Sequence, residues 1–205
     1  MKTSRPILIL GEKPSLNYIR ALSAVNLAYE CTFAPRNFTN YSGLLLTGGG
    51  DILPFFYGKN ISANNINIIR DKAEYNAFKY FYSHRLPILG ICRGAQAINV
   101  FLGGTLKTCR KHASKNSCDV YHTVNAIDSR TPFQKISYVN SNHRQCVDKL
   151  AEKARTALIT SDRIIEAFTV GNKIIAVQFH PERMNLHILK KIYGAFADAV
   201  NKMPQ

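Results

Sequence analysis

Several features that would settle the class of this chain quickly are missing from it. It has no Cys-x-x-Cys pair. Its five cysteines (Cys31, Cys92, Cys109, Cys118, Cys146) are odd in number and irregularly spaced, which argues against both a disulfide framework and a zinc site. Reduced thiols in a cytoplasmic protein are the expectation. No apolar run approaches the roughly 20 residues of a membrane span; Leu86 to Leu102 comes closest and is interrupted by Arg93, Gln96 and Asn99. The four apolar residues Ile7 to Leu10 fall short of the about 7–15 in a signal-peptide core. Internal repeats, linkers and low-complexity segments are lacking too.

Acidic residues are scarce, 13 Asp+Glu against 27 Lys+Arg, for a net charge of +14. Such an excess suggests an anionic partner: nucleic acid, a membrane surface or a phosphorylated small molecule. The surplus is spread evenly, 11 Lys+Arg against 5 Asp+Glu in residues 1–102 and 16 against 8 in residues 103–205. With no basic tail, binding motif or amphipathic anchor, neither nucleic acid nor membrane is the expected partner.

What is present describes one domain over residues 1–205, since 205 residues suffice to bury a core without staples. Short apolar runs at Pro6–Leu10, Gly43–Thr47 and Pro87–Ile91 read as buried strands. Between and after them, Ser15–Asn26, Ile69–His84 and Ala95–Leu102 carry helical spacing. The second half is richer in β-branched and aromatic runs: His122–Ile127, Ile136–Val139, Ala157–Thr160, Ile164–Phe168 and Lys173–Phe179. An amphipathic helix over Leu186–Val200 closes the chain. This order predicts a three-layer α/β/α domain around a central, mostly parallel mixed sheet.

The sharpest local feature is Gly90-Ile91-Cys92-Arg93-Gly94, where a buried strand runs directly into a helix. That is a nucleophile elbow with cysteine in place of serine, and glycines flank it because neighbouring Cβ atoms would clash in so tight a turn. At a helix N-terminus, free N–H groups and the macrodipole favour a thiolate. A thiolate nucleophile needs a base held by a third group. Gln178-Phe179-His180-Pro181-Glu182 supplies one at the end of an apolar strand, with Glu182 able to fix the His180 tautomer. The other histidines, His84, His112, His122, His143 and His187, lack that context. Gly48-Gly49-Gly50 follows another buried strand, where bare backbone N–H groups can approach a reacting centre.

These segments resemble, in order, the class I glutamine amidotransferase-like superfamily, and within it the peptidase C26, γ-glutamyl-γ-aminobutyrate hydrolase type. Gly43-Leu44-Leu45-Leu46-Thr47-Gly48-Gly49-Gly50-Asp51 resembles its oxyanion loop. Arg70-Asp71 with Glu74 is similar to an Arg-Asp-x-x-Glu helix start. Leu86 to Val100 with Gly103-Gly104-Thr105-Leu106 is similar to the nucleophile segment, Val139 to Gln145 to a substrate-side loop, and Ala176 to Glu182 to a His-Pro-Glu motif. The resemblance implies Cys92 as nucleophile, His180 as base and Glu182 as its orienting carboxylate. It implies an oxyanion hole from the backbone N–H groups of Gly49 and Arg93, a glutamyl contact at Gln96, and substrate contacts at Ser141 and His143. The implied reaction is attack on a γ-glutamyl amide, a thioester at Cys92, and hydrolysis to glutamate, with no cofactor and no metal.

Where relatives continue with an acidic segment, this chain carries Lys107, Arg110, Lys111, His112 and Lys115. A basic rim suits a phosphorylated or nucleotide-linked small-molecule substrate, with Lys107, Arg110 and Lys111 as contacts; the resemblance to compact members of the family that act on phosphorylated γ-glutamyl substrates implies one of the γ-glutamyl-CDP-amidate kind, used in capsule phosphoramidate synthesis. A γ-glutamyl-aminobutyrate hydrolase, a glutaminase subunit, a peptide-cleaving cysteine protease and a basic nucleic-acid binder with a vestigial triad are the alternatives. Oligomeric state is left open.

Overall fold

The computed structural model describes residues 5–11, 14–59, 61–114, 118–127 and 132–203, the side chain of Arg110 excepted. Its strands are β1 (Ile7–Ile9), β2 (Tyr29–Cys31), β3 (Gly43–Leu46), β4 (Ile88–Ile91), β5 (Leu106–Thr108), β6 (Val120–Ala126), β7 (Tyr138–Ser141), β8 (Gln145–Val147), β9 (Ala154–Thr160), β10 (Ile165–Val170) and β11 (Ile174–Val177). The helices are α1 (Leu16–Ser23), α2 (Ile68–Ser83), α3 (Arg93–Phe101) and α4 (Leu186–Asn201).

Nine strands form one sheet in the order β2-β1-β3-β4-β11-β10-β9-β6-β7. The run from β2 to β11 is parallel, and the remainder pairs antiparallel. A separate antiparallel pair joins β5 to β8. Strand alternation divides the apolar residues between the two faces. Ile7, Ile9, Leu45, Leu89, Ile91 and Val177 pack on α1 and α4, while Leu8, Leu44, Leu46, Ile88 and Ala176 pack with α2 and α3 on the other side. The result is the expected three-layer α/β/α arrangement.

Helix starts are set by side-chain caps. Ser15 accepts from the Asn17 N–H, Asn67 from the Arg70 N–H and Asn185 from the Ile188 N–H, each satisfying a donor the helix leaves bare. Helix α3 begins at Arg93, two residues before the expected Ala95, because Cys92 itself takes the N-cap position. Strand β2 gave no sequence signal; it is an edge strand with Tyr29 and Glu30 exposed, so no buried run marks it. No described helix is long and apolar enough to cross a membrane.

Candidate active site

The carboxyl ends of the parallel strands converge, as open α/β sheets arrange their sites. At the end of β4, Cys92 has φ 54° and ψ −108°, a strained left-handed backbone held between strand and helix. Its N–H donates to the Val177 carbonyl at 2.8 Å, tying the elbow to β11. Gly94 is required by close approach: a Cβ there would overlap the carbonyl oxygen of Leu46 on β3.

Beyond β11 the chain delivers His180, whose Nδ1 lies 2.7 Å from Glu182 Oε1. The backbone N–H of His180 donates to Asn140 Oδ1 at 2.9 Å, and Asn140 in turn donates to Asp119 at 2.7 Å. Burial disfavours the imidazolium. The hydrogen-bonded Cys92 sulfur and the Glu182 carboxylate outweigh it, and His180 is pushed up to about 10. His180 and Cys92 face each other across Gly48: a Cβ on that glycine would stand 3.2 Å from His180 Cε1 and 3.7 Å from Cys92 Cβ. The Gly48 N–H donates to the Tyr18 hydroxyl at 3.0 Å. Burial, reinforced by Glu182, raises the Tyr18 hydroxyl well above its usual range, so it stays neutral.

The Arg-Asp-x-x-Glu segment forms the buried clamp behind the glycine loop. Arg70 donates to Glu74 at 2.7 Å and to the Thr47 carbonyl at 3.0 Å. Arg93, 3% exposed, donates to both Glu74 and Asp71, and each carboxylate is fully buried. Asp71 also accepts from the Leu53 N–H at 3.1 Å. The cluster balances two cations against two anions and joins α2, α3 and the strand end at Thr47.

Two clefts meet at Gly49. A polar pocket of about 200 Å³ is lined by Cys92, Arg93, Gly49, Gln96, His143 and Gln145 among others. A wider cleft of about 740 Å³ opens on the other side, past His180, Gly48, Tyr18, Ser15, Asn67 and Arg70. Gln96 stands at the first pocket with its Nε2 donating to the Gln145 carbonyl at 2.7 Å and to Gln178 at 3.2 Å, which fixes the orientation of its amide.

The structure therefore brings Cys92, His180, Glu182, Gly49, Arg93 and Gln96 together. Other expected contacts are placed differently. Ser141 is fully buried and donates its hydroxyl to the His112 carbonyl at 2.9 Å, so it supports the loop and does not line the pocket. His143 borders the pocket, but its Nδ1 lies 3.0 Å from the Gln145 carbonyl and its Nε2 is buried. Lys107 and Lys111 are exposed and line neither cleft; alternation along β5 turns Leu106 inward and Lys107 outward. The Arg110 side chain and Lys115 lie outside the described residues. Of the four other cysteines, Cys109 and Cys146 are buried with Ile164, Cys31 donates to the Gly11 carbonyl, and Cys118 is exposed. Asn140, Tyr18 and the side chains of Arg70, Asp71, Glu74 and Arg93 carried no assigned role in the sequence, although the Val-Asn-Ser and Arg-Asp-x-x-Glu segments containing most of them were visible.

Residues 27–182 match the family model of Peptidase C26. The chain belongs to that family. It is 32% identical over 185 residues to the glutamine amidotransferase-like protein YvdE of Lactococcus lactis, a match spanning 79% of this chain and 77% of the other. It is 29% identical over 174 residues to the gamma-glutamyl-CDP-amidate hydrolase of Campylobacter jejuni, spanning 82% and 77%. In fold it is similar to the glutaminase domain of Trypanosoma brucei CTPS with bound acivicin, with a TM-score of 0.70 at 13% identity over 98% of this chain and 95% of the other. Family and relatives make the chain a glutamine amidotransferase-like enzyme of amide bonds.

Proposed function

We propose that this chain hydrolyses a γ-glutamyl amide through a thioester on Cys92, and that its amine leaving group is phosphorylated, with γ-glutamyl-CDP-amidate as the leading substrate. The observation that carries this reading is the pair of unequal clefts meeting at Gly49 between Cys92 and His180. The small polar pocket beside Gln96 suits the glutamyl group. The larger cleft lies on the His180 side, where the leaving amine must be protonated. Its wall includes Arg70 and the capping residues Ser15 and Asn67 of two helices, and helix N-termini favour anionic groups such as phosphate. The Campylobacter relative is named for this substrate.

In this mechanism the Cys92 sulfur attacks the γ-carbonyl carbon, and the N–H groups of Gly49 and Arg93 receive the developing oxyanion. The C–N bond breaks as imidazolium His180 gives its Nε2 proton to the leaving nitrogen. Neutral His180 then takes a proton from water, the hydroxide attacks the thioester, and the C–S bond breaks to release glutamate and restore the thiolate. Glu182 holds Nδ1 throughout and stabilises the imidazolium.

The test compares glutamate release from γ-glutamyl-CDP-amidate, γ-glutamyl-aminobutyrate and glutamine by the isolated chain. The highest kcat/KM is expected for the nucleotide-linked amide. Equal or better turnover of γ-glutamyl-aminobutyrate defeats the phosphorylated leaving group while keeping the chemistry.

A further inference from the structure

We infer that His112, His143 and Glu166 form a binding site for a divalent transition-metal ion, zinc(II) by preference, buried beside the reaction centre and separate from it. Cysteine spacing argued against a zinc site, and the family resemblance implied a reaction that needs no metal. This site draws instead on two imidazoles and a carboxylate carried by the 3-10 turn Arg110–His112, the loop between β7 and β8, and β10.

Glu166 is the anomaly that points to it. Its side chain is fully buried, and among the described residues neither carboxylate oxygen receives a hydrogen bond of acceptable geometry. An uncompensated carboxylate in the interior is strongly unfavourable. Two ring nitrogens face one of its oxygens, His112 Nδ1 at 3.3 Å and His143 Nε2 at 3.5 Å, and the carboxylates of Glu166 and Asp162 push His112 up to about 9 against its burial. The three donor atoms lie within 4.8 Å of one another. A tetrahedral ion about 2.0–2.1 Å from nitrogen and oxygen donors holds them roughly 3.4 Å apart, so the two separations from Glu166 to the imidazoles already have the size of a coordination edge.

The far side of each ring is engaged as metal-binding histidines require. His143 Nδ1 lies 3.0 Å from the Gln145 carbonyl, an arrangement that fixes the proton there and leaves the Nε2 lone pair bare; that Nε2 is buried without a partner. His112 Nε2 lies 3.1 Å from Asp162 Oδ2. A carbonyl and a carboxylate behind the two imidazoles set their tautomers and orientation. Ser141, 3.4 Å from His112 Nδ1, spends its proton on the His112 carbonyl and does not block that nitrogen. The same Gln145 carbonyl accepts from Gln96, so an ion here braces the wall that orients Gln96 without touching the reacting atoms. A proton on His112 is the competing way to balance Glu166, and the experiment separates the two.

Tag-free protein carrying Cys92→Ala, which removes the thiol facing His180 as a place for adventitious zinc, is produced in zinc-supplemented medium, desalted through chelator and assayed by elemental mass spectrometry. Stoichiometric zinc is expected, with loss of most of it in Glu166→Gln. Asp162→Asn removes no ligand and alters a half-exposed side chain, so folding is preserved; its zinc should be drawn off by competing chelator about 10–100-fold more readily. Cobalt-substituted protein should show tetrahedral ligand-field bands without a thiolate charge-transfer band. Absence of bound metal, metal content unchanged by Glu166→Gln and Asp162→Asn, or a thiolate band overturns the site and leaves the imidazolium in its place.

Discussion

Arg93 is locked to Glu74 in the interior, the first residue of α3 bound to a carboxylate in the second turn of α2. The residue after the candidate nucleophile thus serves twice. In the proposed mechanism its backbone N–H receives the oxyanion, while its guanidinium anchors the elbow to the helix that also clamps the glycine loop through Arg70. Positioning of the nucleophile and of the oxyanion donors is therefore one structural event.

Glu74→Ala leaves two buried or half-buried guanidinium groups short of a partner. Unfolding in urea should show a loss of about 3–5 kcal/mol, the usual consequence of orphaning a buried charge. Lys59→Ala, which breaks an exposed pair with Asp148 at 3.3 Å, should cost no more than about 1 kcal/mol. Similar losses for both would remove the clamp from the account.

The pH response of His180 has a definite sign. Its value in the fold, about 10, exceeds the ordinary 6.5, so its protonation contributes stability in full below about 6.5 and loses it as pH rises through about 10. Ring NMR should show His180 charged at neutral pH. Glu182→Gln should lower its midpoint, make the alkaline loss of stability shallower, and reduce kcat roughly 10²–10⁴-fold.

Ser15→Asp keeps a capping oxygen at α1 and adds a negative charge to the wall of the wider cleft. If a phosphorylated leaving group lies there, kcat/KM for γ-glutamyl-CDP-amidate should fall roughly fivefold relative to γ-glutamyl-aminobutyrate, corresponding to ~1 kcal/mol of like-charge repulsion at surface dielectric. High salt should narrow the gap. Lys107→Ala and Lys111→Ala should leave the ratio unchanged, since neither lines either cleft.

Gly94→Ala forces a Cβ onto the Leu46 carbonyl, where backbone cannot yield cheaply. Thermal unfolding and glutamate release should both collapse. Gly171→Ala is a control at φ +57° with open space around it, and should cost only the roughly 1–2 kcal/mol of a left-handed alanine, with activity kept.

The elbow, the His-Pro-Glu turn and the layered core were legible because each is written locally: a buried strand, a tight turn and its glycines are neighbours in the chain. What escaped reading is made by residues far apart. Asn140 supports His180 across 40 positions and Tyr18 meets Gly48 across 30. Glu166 gathers His112 and His143 from different elements, and no spacing rule relates them. Lys107 and Lys111 erred the other way. They stand close to the nucleophile helix in sequence, but strand alternation and a 3-10 turn carry them to the surface. Strand β2, exposed at the sheet edge, left no buried pattern to find.

The central claim is a γ-glutamyl thioester on Cys92. Intact-protein mass spectrometry with peptide mapping, after incubation with a γ-glutamyl electrophile, measures it directly. A single γ-glutamyl adduct on Cys92 is expected, abolished by Cys92→Ala together with a fall in turnover on the order of 10⁶-fold. An adduct at any other residue, or undiminished glutamate release by Cys92→Ala, would contradict the mechanism.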